Sequence, residues 1–344
     1  MKWNKSKDLL ALIVGHGKSL DGSWDPGCTY GKESEATLML PIVQCAAKWL
    51  RKSGVKVLTD ADTKNDKNMK ASVAMANQKG ADLYISVHCD YSAAASGIMF
   101  YYGDNTDKKC GDTIVGYLAK ALGLKNKGGK KDLAKFEINS PKAPSIILET
   151  GGIKSDLKTL QDEQRYGKAL AKAICKYIGV QIYVSKRTKL MRKMAELLAY
   201  MNSHNFKYLN DYKKCGMSWA KAKKTHRSNC ATVVSWSAQE IGLLKPGQIF
   251  WIAGTTIECR GSGCKTRVKK KFTIKHPKKV ASKVTLKAGY IVGYSPYHTQ
   301  IFVKKNKAGK PMWYSYGKHD PKKKQPRRKA SYDEKKIMTV MIPK

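Results

Sequence analysis

Three apolar stretches of the sequence each end near a side chain that can bind a metal ion or move a proton. His16 follows the run "LLALIVG", His88 stands at the end of "ADLYISVHC", and Glu149 ends "PSIILE". Short apolar runs of this kind are typical of buried strands. The carboxyl ends of strands in a layered α/β sheet share one edge, where the sites of such proteins form. We therefore expect the two imidazoles and the carboxylate to meet at one rim.

A metal ion is the chemistry that this combination of side chains favours. Catalytic zinc commonly takes three protein ligands from His and Glu and leaves a fourth position for water. A separate carboxylate near that water acts as a general base. The missing ligand is expected from "YGKESEATLML", where Glu33 and Glu35 precede an amphipathic helix. Because Pro41 fits only the first turn of a helix, both glutamates are predicted at or just before the helix start.

A second pair of reactive residues lies in the C-terminal half of the chain. Cys230 stands near the start of a predicted helix in "SNCATVVSWSAQEIGLL", which Gly242 is expected to end. Amides at a helix N-terminus lower the pKa of a thiol and favour the thiolate. Downstream, "YSPYHTQIFVKK" presents His298 on an alternating strand. A cysteine followed by a strand histidine is what nucleophilic catalysis requires.

The elements that position these residues divide the chain into two predicted domains. Residues 1–183 alternate apolar strands with helical stretches, which favours an α/β fold with a mixed sheet flanked by helices. Residues 184–344 open with the basic amphipathic stretch "RTKLMRKMAELLAYMNSHN" and later become rich in strands. Helices followed by strands predict an α+β domain. The segment "HDPKKKQPRRKASYDEKK" is predicted to be a long surface loop.

The charge of the chain is concentrated in its second half. The 344 residues carry 66 Lys and Arg against 26 Asp and Glu. Residues 184–344 hold 38 of the basic and 7 of the acidic residues, a net charge of +31, which leaves +9 for the first 183. Such a domain is attracted to polyanions, among them anionic wall polymers and nucleic acid. Specific nucleic-acid binding is not favoured, because the sequence has no recognition helix, zinc finger or RNP-like run.

The sequence also suggests where the protein is made. The apolar run Leu9–Val14 is too short for the core of a signal peptide and is followed by no small-residue cleavage site. No stretch approaches the ~20 apolar residues that a membrane span requires. We therefore expect synthesis in the cytoplasm without a signal peptide and without a membrane span.

The cysteines do not form a recognisable framework. Nine of them occur at irregular spacings without a CxxC pair, which argues against a disulfide scaffold or a cysteine-rich zinc site. Cys259 and Cys264 flank "RGSG", a predicted hairpin tip. We expect two buried or idle thiols there, with pairing after export as the alternative.

The N-terminal motifs resemble the zinc-dependent N-acetylmuramoyl-L-alanine amidases of bacterial walls and phage lysins. The resemblance covers about residues 8–180 and rests on "VGHG…DPG", an acid that opens the next helix, "ADLYISVHCD" and "PSIILETGG", in that order. Glu35 is favoured over Glu33 because its distance to Gly54 fits the usual helix length of the family. The resemblance implies that His16, Glu35 and His88 are the zinc ligands. It implies that Glu149 is the catalytic acid/base.

The same resemblance implies a substrate and a place of action. Zinc-activated water would hydrolyse the amide between N-acetylmuramic acid and L-alanine in bacterial peptidoglycan. The protein would act at the cell wall after release; the expected lack of a signal peptide fits a phage endolysin that leaves the cytoplasm when the membrane is breached, and a bacterial autolysin exported by another route is the alternative. The family often has Asn where this chain has Asp90 and Phe where it has Gly152.

The C-terminal half resembles the NlpC/P60-like cysteine peptidases, which implies a papain-like α+β fold. "SNCATVVSWSAQEIGLL" and "HTQIF" carry the likeness. It implies that Cys230 is the nucleophile and His298 the base of a second cut, within the stem peptide of the wall. The orienting residue is expected on the next strand, where the chain has Ser315, with His319 and Asp320 just beyond. The alternative is an inactive module that binds the anionic wall or, less favoured, nucleic acid.

Overall fold

The computed structural model describes residues 3–19, 21–62, 68–92, 95–209, 211–253, 256–275, 285–294, 298–309, 311–314, 316 and 337–344. The chain forms two compact units, Met1–Tyr183 and Val184–Lys344. No helix within these described ranges is both long enough and apolar enough to cross a lipid bilayer.

The described part of the first unit alternates strands and helices. Its strands are β1 (Leu9–Val14), β2 (Gly17–Lys18), β3 (Trp24–Asp25), β4 (Thr29–Tyr30), β5 (Glu33–Ser34), β6 (Lys56–Leu58), β7 (Leu83–His88), β8 (Ile98–Tyr102), β9 (Asn126–Lys131) and β10 (Ser145–Glu149). Its α-helices are α1 (Glu35–Lys52), α2 (Met69–Lys79), α3 (Asn105–Leu122), α4 (Phe136–Asn139), α5 (Leu157–Leu160) and α6 (Glu163–Tyr177), and a 3-10 helix spans Asp60–Asp62.

Six of these strands form one mixed sheet in the order β6-β1-β7-β10-β8-β9. The first four run parallel, whereas β8 is antiparallel to β10 and parallel to β9. Since side chains alternate along a strand, Leu12, Val87 and Leu148 lie on one face, in the main core with α1, α3 and α6. Ile13 and Ile147 lie on the other face, against α2 and α4 respectively. The predicted α/β domain with a mixed sheet flanked by helices is confirmed.

Helix α1 begins where the sequence predicts, but Pro41 lies further into the helix than predicted. Ser34 caps the helix, its hydroxyl accepting a hydrogen bond from the N–H of Thr37, and Glu35 is the first helical residue. Pro41 lies in the second turn, not the first, where its missing N–H removes one backbone hydrogen bond. The helix tolerates this loss because its apolar face is buried against the sheet.

The described part of the second unit begins with helices and continues with strands. Its helices are α7 (Lys186–Ser203), α8 (Tyr212–Cys215), α9 (Trp219–Thr225), α10 (Cys230–Glu240) and α11 (Cys264–Lys271). Its strands are β11 (Lys207–Tyr208), β12 (Arg227–Ser228), β13 (Ile249–Ala253), β14 (Thr256–Arg260), β15 (Phe272–Lys275), β16 (Ile291–Tyr294), β17 (His298–Lys305), β18 (Pro311–Tyr314) and β19 (Ile337–Pro343).

Five of these strands form an antiparallel sheet in the order β15-β19-β16-β17-β18. Helix α10 packs against α7, β13 and β17, and its Val233, Val234 and Trp236 lie in the core of the unit. This order of helices and antiparallel strands agrees with an α+β domain. Its papain-like character stays a prediction, and the basic segment that was predicted as a surface loop lies outside the described residues.

A disulfide joins Cys259 to Cys264, so the expectation of two idle thiols is wrong. Cys259 lies in β14 and Cys264 opens α11, so that "RGSG" links a strand to a helix and is not a hairpin tip. Gly261 and Gly263 both adopt positive φ, at 105° and 64°, and turn the chain back on itself. The two Cα atoms are thereby brought to 5.6 Å, a separation that a disulfide spans.

Candidate metal centre

Three neighbouring strands deliver the predicted residues to one edge of the first sheet. Strands β1, β7 and β10 are adjacent and parallel, so their carboxyl ends lie together. His16 follows β1, His88 ends β7, and Glu149 ends β10 in register with His88. Side chains in register on parallel neighbours point to the same face of the sheet. The structure thus brings the two imidazoles and the carboxylate to one rim.

Glu35 lies between the two histidines. Its Oε2 is 3.3 Å from Nε2 of His16, and its Oε1 is 3.0 Å from Nδ1 of His88. The potential ligand atoms of the three residues all lie within 4.8 Å of one another. The backbone N–H of Cys28 donates to Oε2 at 3.3 Å and that of Cys89 donates to Oε1 at 2.9 Å. These amides hold the carboxylate in the orientation that faces both rings.

Glu33 does not join this cluster. It lies in β5, two residues before the first residue of α1. Its Oε1 accepts a hydrogen bond from Nε2 of Gln161 at 2.9 Å. The residues alone left both Glu33 and Glu35 as candidates for the third ligand. The fold places Glu35 between the imidazoles.

A second carboxylate binds the far nitrogen of each histidine. Nδ1 of His16 is 2.9 Å from Oδ2 of Asp25, and Nε2 of His88 is 2.9 Å from Oε2 of Glu137. Metal-binding histidines usually donate the N–H of their other ring nitrogen to such a carboxylate, which fixes the tautomer and the ring orientation. Nε2 of His16 and Nδ1 of His88 are therefore left to face Glu35.

Sequence reasoning assigned no role to Asp25 or Glu137. Asp25 belongs to the "DPG" motif, so an acid close to His16 was visible in the sequence. Glu137 lies in α4, a helix of only four residues that no sequence motif predicts. It reaches His88 because α4 packs on the same face of the sheet, where the hydroxyl of Tyr84 also donates to Oε1 of Glu137 at 2.9 Å. Only the fold reveals this second contact.

Two glycines leave room for the cluster. A Cβ atom on Gly15 would overlap the imidazole ring of His88. Gly27 has φ of 66°, and a Cβ atom there would lie 2.7 Å from Oε2 of Glu35 and from Cδ2 of His16. Both glycines are therefore required because His16, Glu35 and His88 pack directly against the backbone at these positions.

The charges of the cluster compensate one another. Burial lowers the pKa of His88, but the neighbouring Glu137 and Glu35 outweigh this and hold the pKa well above its ordinary value. Burial raises the pKa of Glu35, yet the hydrogen bond from His88 and the charges of both histidines keep that pKa below its ordinary value. The pKa of buried Glu137 is lowered in the same way by His88. The site thus favours positive charge between carboxylates, as a cation site must.

Glu149 is the one carboxylate of the centre with a raised pKa. Burial raises the pKa of its carboxyl to about 7. Its Oε2 is buried and has no hydrogen-bond partner among the residues that the structure describes. Together with His16, Glu35 and His88 it lines a cleft of about 380 Å³. A buried carboxyl with a pKa near neutrality is suited to accept a proton and return it.

The donor set fits a catalytic zinc ion. Two imidazole nitrogens and a carboxylate oxygen are a common set of protein ligands for such an ion, which keeps a fourth position for water. His16, Glu35 and His88 supply this set. Hydrogen bonds from a carboxylate to the far nitrogen fix each ring, and glycines leave space for the side chains. A zinc ion held in this way would need no further ligand from the protein.

The two departures from the family pattern have local reasons. Asp90 adopts φ of 62°, a left-handed conformation that Asp and Asn tolerate better than most residues. A Cβ atom on Gly152 would overlap the carbonyl oxygen of Ala95, so no larger side chain fits there without a shift of the backbone.

In the second unit, Cys230 is the first residue of α10, and Asn229 caps that helix. Burial raises the pKa of the Cys230 thiol, and this outweighs the hydrogen bonds from the backbone of Thr299 and Ala231. The helix amides lower this pKa as expected, but the thiol is almost fully buried, so the net shift is upward and the thiolate is not favoured. Strand β17 begins at His298, directly before Thr299. The side chain of His298 and the residues Ser315, His319 and Asp320 lie outside what the structure describes.

A comparison with protein families concerns the first unit. Residues 10–180 match the family model Amidase_3, described as N-acetylmuramoyl-L-alanine amidase. A curated relative from Clostridium perfringens, described as an uncharacterized 38.4 kDa protein, is 26% identical over 135 residues. That alignment covers 36% of this chain and 40% of the relative, so the chain spans about two fifths of the relative's length.

Several solved structures resemble about half of the chain. The amidase AmiC2 of Nostoc punctiforme is 24% identical, with a TM-score of 0.45, and covers 51% of this chain and 98% of its own. The catalytic domain of the amidase CwlV from Bacillus (Paenibacillus) polymyxa is 22% identical, with a TM-score of 0.44. The match covers 51% of this chain and 100% of the CwlV domain. The catalytic domain of the CD27L endolysin, which targets Clostridia difficile, is 21% identical, with a TM-score of 0.41, and covers 49% and 98%. On the strength of the family match, residues 10–180 form an Amidase_3 domain, which makes up nearly all of the first unit.

Proposed function

We propose that the first unit is a zinc-dependent N-acetylmuramoyl-L-alanine amidase that cleaves bacterial peptidoglycan. The observation that carries this proposal is the cluster of His16, Glu35 and His88 with Glu149 beside it, at one sheet edge of an Amidase_3 domain. The bond cut is the amide between the lactyl group of N-acetylmuramic acid and L-alanine.

The residues of the cluster have separate roles. Nε2 of His16, the carboxylate of Glu35 and Nδ1 of His88 would hold zinc. When bound, zinc polarises the scissile carbonyl and lowers the pKa of water. Asp25 and Glu137 hold the two imidazoles in orientation from behind, at 2.9 Å each.

Glu149 moves the proton during the reaction. Its carboxylate accepts a proton from the attacking water as the oxygen of that water bonds to the amide carbon. The same carboxyl then donates the proton to the nitrogen of L-alanine as the C–N bond breaks, so that a free amine leaves. The lactyl carboxylic acid that remains loses its proton to solvent. A pKa of about 7 suits both steps near neutral pH.

The cell wall is the place of action that this reaction implies, with peptidoglycan as the partner. The net charge of +31 on residues 184–344 supports attraction to anionic wall polymers as well. We propose that the second unit brings the amidase to the wall in this way.

The zinc requirement is tested by removing the ion. Incubation with a chelator should abolish the release of L-alanine amino termini from purified peptidoglycan, and added zinc should restore it. The reason is that the cluster holds the ion that activates the scissile carbonyl. Chelated, metal-free protein that still releases these termini would show that the zinc assignment is wrong.

For the second unit we infer a cysteine peptidase of the NlpC/P60 type that cuts within the stem peptide. Cys230 is the proposed nucleophile, His298 the base and Ser315 the orienting residue. Two observations support the inference: Cys230 opens α10, and the backbone of Thr299, one residue after His298, hydrogen-bonds to the thiol. The raised pKa of the buried thiol favours the alternative, a module that binds the wall without cutting it.

Replacement of Cys230 by Ala separates these two possibilities. If the second unit is a peptidase, Cys230→Ala should lose all cuts between residues of the stem peptide and keep the cut at L-alanine, since the thiol is the attacking group. Cys215→Ala, which removes another buried thiol of the same unit, serves as the control and should keep both cuts. Identical fragments from Cys230→Ala and the wild type would show that the second unit is an anchor.

A further inference from the structure

Two cysteines that the proposed mechanism does not use lie against the carboxylate of Glu35. Cys28 lies in the segment between β3 and β4, and Cys89 directly follows His88. The sulfur atoms of both residues and a carboxylate oxygen of Glu35 all lie within 4.8 Å of one another. Sγ of Cys28 also contacts the carbonyl oxygen of Cys89 at 3.8 Å. We propose that Cys28, Cys89 and Glu35 form a second cation site, which prefers thiophilic divalent ions.

The spacing of the three donors suits a single ion. Around a tetrahedral ion with metal–sulfur bonds of ~2.3 Å, neighbouring donor atoms are roughly 3.8 Å apart. The present limit of 4.8 Å therefore requires the donor atoms to close by about 1 Å at most when an ion binds. Cys89 is 3% exposed, whereas Cys28 is only half-buried, so an ion reaches the site from the Cys28 side.

The chemistry of the donors distinguishes this site from the histidine site. Two sulfurs select soft ions such as cadmium, whereas imidazole and carboxylate form the set expected for catalytic zinc. Binding releases the thiol protons to solvent, because the thiolate is the metal-binding form. The proposal needs only the two cysteines and Glu35 and does not depend on the amidase reaction.

Glu35 couples the two sites. Its carboxylate faces His16 and His88, and its oxygens accept hydrogen bonds from the backbone N–H groups of Cys28 and Cys89. An ion held by the two sulfurs draws on the same carboxylate that the histidine site uses. A thiophilic ion in excess is therefore expected to weaken zinc binding at the histidines.

Cadmium titration of the full chain tests the site. All proteins in the test carry Cys259→Ser and Cys264→Ser, so that reduction of their disulfide adds no thiols, and the reductant is removed before titration. The expected result is an ultraviolet thiolate-to-cadmium charge-transfer band that saturates at one ion per chain. Cys28→Ser and Cys89→Ser should each abolish this band, and Cys45→Ser, which changes a buried thiol of the same unit, should leave it intact.

Two further results decide the proposal. A His88→Ala variant should keep the band, because the thiol site does not use the imidazole; its amidase activity plays no part in this readout. A band that survives in both Cys28→Ser and Cys89→Ser, or that is lost in Cys45→Ser, would overturn the site. Loss of the band in His88→Ala would likewise overturn it, by showing that the thiolates bind cadmium only together with the imidazole.

Discussion

Replacing Glu149 by Gln is expected to lower kcat on purified peptidoglycan by about 10²- to 10⁴-fold, the usual contribution of a general acid/base. Gln has nearly the same shape as Glu but cannot accept a proton from water or return one to the leaving amine. The buried Oε2 of Glu149 has no hydrogen-bond partner among the described residues, so the substitution breaks no contact at that atom. Zinc content, measured on the same preparation by atomic absorption, should stay at the wild-type level.

The control for this variant is Glu163→Gln, which neutralises an acid at the start of α6, away from the cleft. It should match the wild type in both rate and zinc content. A Glu149→Gln protein that works at the wild-type rate would show that another group moves the proton. A Glu149→Gln protein without zinc would show that Glu149 is itself a ligand.

Glu35→Gln is expected to remove both zinc and activity, whereas Glu33→Gln should keep both. Glu35 is the only carboxylate among the three proposed ligands, and its oxygens lie 3.0 and 3.3 Å from the two imidazoles. The loss of zinc affinity should exceed the roughly 10- to 100-fold cost of changing an outer-shell partner. Competition with a fluorescent zinc chelator measures the affinity, and peptidoglycan digestion measures the activity.

The pair of variants is matched because the two glutamates are only two residues apart. Glu33 contacts Gln161 on its own side of the unit and takes no part in the cluster. Equal zinc affinity in Glu35→Gln and the wild type would remove Glu35 from the ligand set, and loss of zinc in Glu33→Gln alone would reverse the assignment.

The parts of this account that the sequence predicts depend on local patterns. The runs that end at His16, His88 and Glu149 are apolar and short, so both the strands and their common edge could be expected. An acid at the start of α1 could be expected as well from the amphipathic pattern, although Pro41 lies one turn later than predicted. In this sense the cluster is a consequence of strand ends and one helix cap.

Other features depend on contacts that no local pattern shows. Strand β9 has the sequence "NKGGKK" without an apolar residue, and it forms because it pairs with β8 at the edge of the sheet. Gly129 in this strand lets the ring of Phe100 pack directly on the backbone. Glu137 acquires its contact with His88 only through the packing of α4, and the raised pKa of Cys230 follows from burial rather than from its helix position.

The measurement that tests the amidase proposal most directly is mass spectrometry of the fragments that the wild-type chain releases from purified peptidoglycan, with Glu149→Gln as the negative control. The account predicts stem peptides with a free L-alanine amino terminus, and glycan chains whose N-acetylmuramic acid keeps an unsubstituted lactyl carboxylate. Both products should be nearly absent from the Glu149→Gln digest. Fragments in which every L-alanine stays attached to muramic acid would contradict the account.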